Sequence, residues 1–169
     1  MSATVVSNIR MIALRDLHDV KKEIEAYPDD ESLWRKAPGI TNPGGNLALH
    51  LAGNMRHYFG VVLGKSSYVR NRDLEFSEHG LSRKEILERL DGAISEVDDA
   101  LSRLTDEDLN KPFPEHLGDF HLFTGQFLIH CLAHMGYHFG QLDYHRRITT
   151  GINRTISAQS IPALDNIPD

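Results

Sequence analysis

Between Ser82 and Leu104 the chain repeats aliphatic residues at alternating intervals of three and four: Leu87, Leu90, Ile94, Val97, Leu101 and Leu104. Only an α-helix gathers such a series on one side, and a stripe of that width is stable against other helices. Ser82 and Glu85 have the spacing of a capping box, in which each side chain satisfies a free backbone N–H at the helix start. Three more segments read as helices: residues 4–27, carrying Val5, Ile9, Ile12, Val20 and Ile24 and closed by Pro28; residues 45–63, carrying Leu47, Leu51, Tyr58, Val61 and Val62 and stopped by Gly64; and residues 122–149, ending before Gly151. No stretch alternates as a strand would. The pattern predicts an all-α four-helix bundle, one domain over residues 1–169, with its core at about 5–150 and 151–169 as an extended tail packing on it.

The connections differ in character. PDDESLWRKAPGITNPGG is rich in Pro, Gly and Asp, which predicts a loop with one turn around Ser32–Arg35 and Trp34 plugging the bundle end. KSSYVRNRDLEFSEHG is long and charged yet holds Tyr68, Leu74 and Phe76, which predicts a packed, functional loop. A net charge of −6 argues against a general nucleic-acid binder. No apolar run reaches the roughly 20 residues that span a bilayer. One cysteine, Cys131, excludes an intrachain disulfide and suits a reducing compartment. The N-terminal segment has neither a basic start nor a long apolar core, so the expected location is cytoplasmic.

Ten histidines are many for this length. His130, His134 and His138 follow one another at four-residue steps along one side of the last helix, with Phe127, Cys131 and Gln141 in the same stripe and Phe123, Leu128, Leu132 and Tyr137 beside it. His50 lies among Leu47, Leu51 and Asn54 on the second helix, and His57 two turns later lies near that stripe. A buried imidazole costs free energy unless both ring nitrogens find partners. A divalent cation supplies one partner to several rings at once. On pattern alone the pair His134 and His138 fits either a metal site or a hydrogen-bonded core role, and His50 on a second apolar face adds to the metal reading. His130 stays open among replacing one of the pair, supporting the ligands from behind, and filling the core. His18, His79, His116, His121 and His145 read as surface or helix-end residues. His-Glu-x-x-His and Glu-x-x-His are both absent, and so is a Walker-type phosphate loop.

GNLALHLAGNMRHYFG in the second helix and HCLAHMGYHFGQLDYHRR in the last resemble the DinB-like superfamily, which includes bacillithiol- and mycothiol-dependent S-transferases. Its hallmark is one histidine on the second helix and His-x-x-x-His on the last, followed by x-Gly-Gln; His50, His134 and His138 match, the last followed by Phe139, Gly140 and Gln141. YVRNRDLEF resembles an uncharacterised branch. The resemblance covers residues 5–150 and implies a four-helix bundle of that type, metal ligands at His50, His134 and His138, and a homodimer.

Two functional readings follow. In the first, the ion activates a thiol or a water, making a metal-dependent S-transferase or hydrolase acting on a small molecule. Zinc, nickel, iron or copper would suit imidazoles. His130, Asn54, His57 and Gln141 are candidates to support the ligands, and Arg70 and Arg72 to attract an anionic low-molecular-weight thiol, although a solvated charge pairing with Asp73 and Glu75 is the plainer reading of the two arginines. Cys131 reads as inert packing. In the second, the protein is a non-enzymatic, stress-related metal-binding bundle with a structural or vestigial site; a fourth protein ligand would mark it.

Overall fold

A computed structural model describes residues 4–156 and 159–164. Four long helical rods carry the core: α1 (Val5–Glu25), α3 (Gly44–Met55) with its continuation Arg56–Leu63, α5 (Arg83–Leu101) and α6 (Thr124–Thr150). Two short helices, α2 (Asp30–Trp34) and α4 (Arg72–Ser77), sit in the connections. The described residues form no strand, only two isolated bridges in the 111–123 segment. No described helix is long and apolar enough to cross a membrane.

Local chemistry sets the helix ends. Thr4 and Ser7 form a capping box at α1, and Ser82 and Glu85 form the expected one at α5. Asp29 and Asn71 cap α2 and α4 through their side chains. Gly151 ends α6 in the left-handed conformation at φ 71°, which a glycine adopts without steric cost.

The buried line of α5 is Ile86, Leu90, Ala93, Val97, Ala100 and Leu101, while Leu87, Ile94 and Leu104 lie at its edge. Leu90, Val97 and Leu101 of the aliphatic series thus lie in the seam, which Ile86, Ala93 and Ala100 complete. The second rod is not one regular helix. From Arg56 to Leu63 it winds as a π-helix, with the Gly64 N–H reaching the Phe59 carbonyl at 2.8 Å. The expected loop over 65–80 contains α4. Trp34 caps the bundle end as expected, its ring against Gly45 and its Nε1–H donating to the Leu81 carbonyl at 2.9 Å.

On α6 the core line is Leu128, Cys131, Met135, Leu142 and His145. The histidine series lies along the flank of that line, half-buried or exposed, and Phe123 and Tyr137 point outward. His145 is not a surface residue. It is fully buried, with Nδ1 at 2.8 Å from the Tyr27 hydroxyl and Nε2 at 2.8 Å from the Arg35 carbonyl. Burial lowers its pKa, so it joins α1, α6 and the α2–α3 connection as a neutral ring.

Beyond α6 the tail crosses α1. Arg146 donates to the Arg154 carbonyl, the Gln159 N–H donates to Asp19, and Ile161–Leu164 forms one 3₁₀ turn rather than extended chain. The remainder of the expected tail, Ser157, Ala158 and residues 165–169, lies outside the described residues. Arg146 is also ion-paired with Glu23, both fully buried. Removing one partner of such a pair strands a charge in the interior. Arg146→Ala should therefore lower unfolding free energy by about 3–5 kcal/mol, and replacing both residues by apolar ones should cost less. Urea denaturation measures this; a loss below about 0.5 kcal/mol, the range of ordinary surface substitutions, would refute it.

Candidate metal centre

Every residue of α3 is buried. His50, in its middle, therefore needs a protein partner on each ring nitrogen or a ligand in place of one. Its Nδ1–H donates to Glu75 Oε2 at 2.8 Å. Glu75, on α4, is itself buried and receives two bonds from Arg70, from Nε at 2.7 Å and from Nη2 at 2.9 Å. Burial pushes the Glu75 carboxyl up, but the bonds from Arg70 and His50 outweigh it and hold its pKa below the usual range. Gly53, one turn after His50, makes this possible: a Cβ there would overlap Glu75 Oε1.

The other ring nitrogen, Nε2, faces α6. It lies 3.5 Å from His134 Nε2, which in turn lies 3.1 Å from His138 Nε2. One nitrogen from each ring falls within 4.8 Å of the others, the one such group of three or more His, Cys, Asp or Glu among the described residues. His138 Nδ1 is fixed by Gln141 Oε1 at 2.7 Å. His50 and His138 thus spend their N–H groups on outer partners and turn bare nitrogens toward His134. One proton on His134 Nε2 could bridge to only one of them. Two nitrogens bound at roughly 2.1 Å to a tetrahedral ion sit about 3.4 Å apart, and the spacings of 3.5 and 3.1 Å about His134 lie close to that value. Burial, and then the neighbouring His138 and His50, push the His134 pKa down to about 4, which keeps this ring neutral as a ligand must be. Burial also lowers His138, against the Gln141 bond that raises it.

The three rings form part of the wall of a cavity of about 400 Å³, together with Asn54, Tyr58, Arg72, Phe127 and Cys131. The remaining sequence candidates separate here. Gln141 orients His138, and Asn54 reaches the cavity. His130 lines the cavity but is exposed, stacked 6.1 Å from His134 and outside the three-ring group. His57 pairs instead with Glu115 at 2.8 Å. Arg70 is no solvated loop charge: its side chain is largely buried and committed to Glu75. Arg72 lies over the Phe76 ring at 5.3 Å, on the cavity wall. Burial raises the Cys131 thiol to about 12, which makes it a poor nucleophile. Glu75 is the site residue that periodicity did not reveal; its sign in the sequence is a glutamate beside Phe76, five residues after Arg70, in an aromatic-bearing loop.

Outer partners of ligating histidines typically carry a 10–100-fold share of metal affinity. Glu75→Gln, which keeps the shape and removes the charge, should weaken divalent-metal binding by about 10-fold or more. Competition with a chromogenic chelator measures it; unchanged affinity with an intact fold would remove Glu75 from this role.

Comparison with known proteins places the architecture. The crystal structure of a DinB-like protein from Bacillus cereus superposes with a TM-score of 0.63 at 21% identity, covering 79% of this chain and 85% of that one. The search of curated proteins gives no match. The family model of the DinB superfamily matches residues 14–142, which spans α1 through most of α6. By that match, the chain belongs to the DinB superfamily.

Proposed function

We propose that His50, His134 and His138 hold one divalent metal ion, and that the protein is a metal-dependent enzyme acting on a small molecule by thiol S-transfer, with hydrolysis as the related alternative. The observation that carries the reading is the three-nitrogen cluster on the wall of a cavity with no fourth His, Cys, Asp or Glu in the group among the described residues. Structural zinc usually takes four protein ligands, and catalytic sites take three. A volume near 400 Å³ falls within the range of small-molecule sites.

When bound, the ion would act as a Lewis acid that lowers the pKa of a thiol or water beside it. The chain's own residues do the rest. Glu75 and Gln141 fix the orientation of His50 and His138. Phe127, Tyr58 and Phe76 exclude water from one side of the cavity, and Asn54 offers an amide for orientation. Arg72 makes no ion pair among the described residues, so its guanidinium is free to meet an anionic group of the thiol. In the transfer, the thiol sulfur bonds to the electrophilic carbon, the leaving group departs with the bonding pair, and the thiol proton passes to solvent.

Protein purified without a histidine tag should carry about one metal per chain, and the double variant His134→Ala/His138→Ala should carry none by elemental analysis. Unchanged stoichiometry would reject the ligand set. Monochlorobimane, assayed with several low-molecular-weight thiols, should react faster with metal-loaded protein than with the double variant. Equal rates with every thiol would reject S-transfer, and chromogenic esters then test hydrolysis.

A further inference from the structure

A second cavity, of about 380 Å³, adjoins the histidine cluster. Asn42 and His138 belong to its wall as well as to that of the first cavity, so the two chambers meet at a proposed metal ligand. Their chemistry differs. The first carries Arg70 and Arg72, whereas the second is lined by Ile40, Leu47, Tyr137 and Tyr144, with no Asp, Glu, Lys or Arg in its wall among the described residues. Its polar members are neutral amides, a hydroxyl and His138 itself. Arg147 lies over the Tyr144 ring at 5.4 Å but is paired with Asp143. Tyr137 and Tyr144 stand about 10 Å apart along α6, and at 65% and 64% exposure they offer aromatic surface that the core does not use. The Tyr137 ring meets that of His138 edge-on, with centroids 5.2 Å apart. The other wall comes from the segment before α3, and it is fixed. Pro38 and Gly39 make a turn closed by the Ile40 N–H on the Ala37 carbonyl at 3.0 Å, with Gly39 at φ 77°. The approach to that turn is pinned to α6: His145 holds the Arg35 carbonyl, and Arg35 Nη1 donates to the Thr149 carbonyl at 2.7 Å. A chamber whose walls are tied to one another is formed before any ligand arrives.

We infer that this second chamber receives the electrophile of the S-transfer proposed above, and that the electrophile is an uncharged aromatic compound. The inference rests on that reading and adds the substrate class. A charged group entering the chamber would lose water and find no counter-charge in the wall. An aromatic ring instead replaces water against two tyrosine rings and two aliphatic side chains, and gains edge-to-face contacts. Two chambers meeting at one ligand suit a reaction between two organic molecules, with an anionic thiol on the arginine side and the ring on the tyrosine side. Hydrolysis would need only one of them. With an arylmethyl halide, the thiol sulfur bonds to the carbon beside the ring and the carbon–halogen bond breaks. The halide leaves with the bonding pair, and the thiol proton passes to solvent.

Binding is tested first without chemistry. In fluorine NMR, para-fluorobenzyl alcohol, which does not react with thiols, should broaden on addition of the untagged full chain, with a Kd on the order of a millimolar. Tyr144→Ala, at an exposed position, should raise that Kd about 10-fold while helicity by circular dichroism is kept. No broadening, or a Kd that the substitution leaves unchanged because the ring sits elsewhere, overturns the chamber. Specificity is tested with para-nitrobenzyl bromide against iodoacetamide, both with the same thiol. Tyr144→Ala should lower the ratio of their kcat/KM values about 10-fold, mainly through KM. An unchanged ratio overturns the assignment of the aromatic electrophile to this wall. The two readings fail separately: no reaction with either halide removes S-transfer, whereas the fluorine titration by itself decides whether the chamber takes a neutral ring.

Discussion

α3 has no side in contact with solvent, and much of the structure answers to that constraint. An imidazole in such a helix must satisfy two nitrogens inside the protein. His50 commits Nδ1 to a carboxylate, and a buried carboxylate would itself cost several kcal/mol if it had no cation. Arg70 supplies the cation in a two-bond fork, the geometry that best suits a carboxylate. One histidine thus recruits two further residues from the connection after the second rod. It also requires glycine at position 53, so that the carboxylate can lie against the helix. The bonds from Arg70 and His50 hold the Glu75 carboxyl below its usual range against the opposing effect of burial.

The other half of the site is built differently. On α6 the two histidines share one flank at a four-residue interval, and the helix itself sets their spacing. Their surroundings are aromatic rather than ionic: Phe127 packs on Phe113 at 4.2 Å and on Tyr58 at 4.8 Å, and His130 stacks between Phe127 and His134. Apolar walls on this side and a charged relay on the other together keep the three rings uncrowded by carboxylates. Glu75 touches the cluster only through the far nitrogen of His50.

Periodicity made the architecture legible and placed His50 and the histidine series of the last helix on faces that can meet, while the choice of His134 and His138 over His130 came with the resemblance to the DinB-like superfamily. It failed where alanine or context decides. Ile86, Ala93 and Ala100 share the α5 seam with Leu90, Val97 and Leu101, while Leu87 and Ile94 of the series stay at its edge. His145, seven residues after His138, read as a helix-end residue; its partners Tyr27 and Arg35 come from another part of the chain and leave no local trace. Tyr137 adjoins the histidine stripe in sequence, yet its side chain turns to the outer face. Glu75 lies in a segment with no repeat to read, and only tertiary contact brings it beneath α3.

The 65–80 connection supplies two arginines to the surroundings of the site. Its Arg70 holds the carboxylate that orients His50, and the same guanidinium forms part of the cavity wall, 5.7 Å from the Tyr58 ring. Two of its N–H donors go to Glu75, which leaves others for the cavity side. An anion entering the cavity would meet Arg72 without an ion-pair partner but Arg70 already engaged. Binding through Arg72 leaves the relay intact, whereas binding that drew Arg70 away would strip Glu75 of its cation and loosen His50. On the proposed reading, recognition and support thus fall to different arginines, Arg72 at the start of α4 and Arg70 just before it.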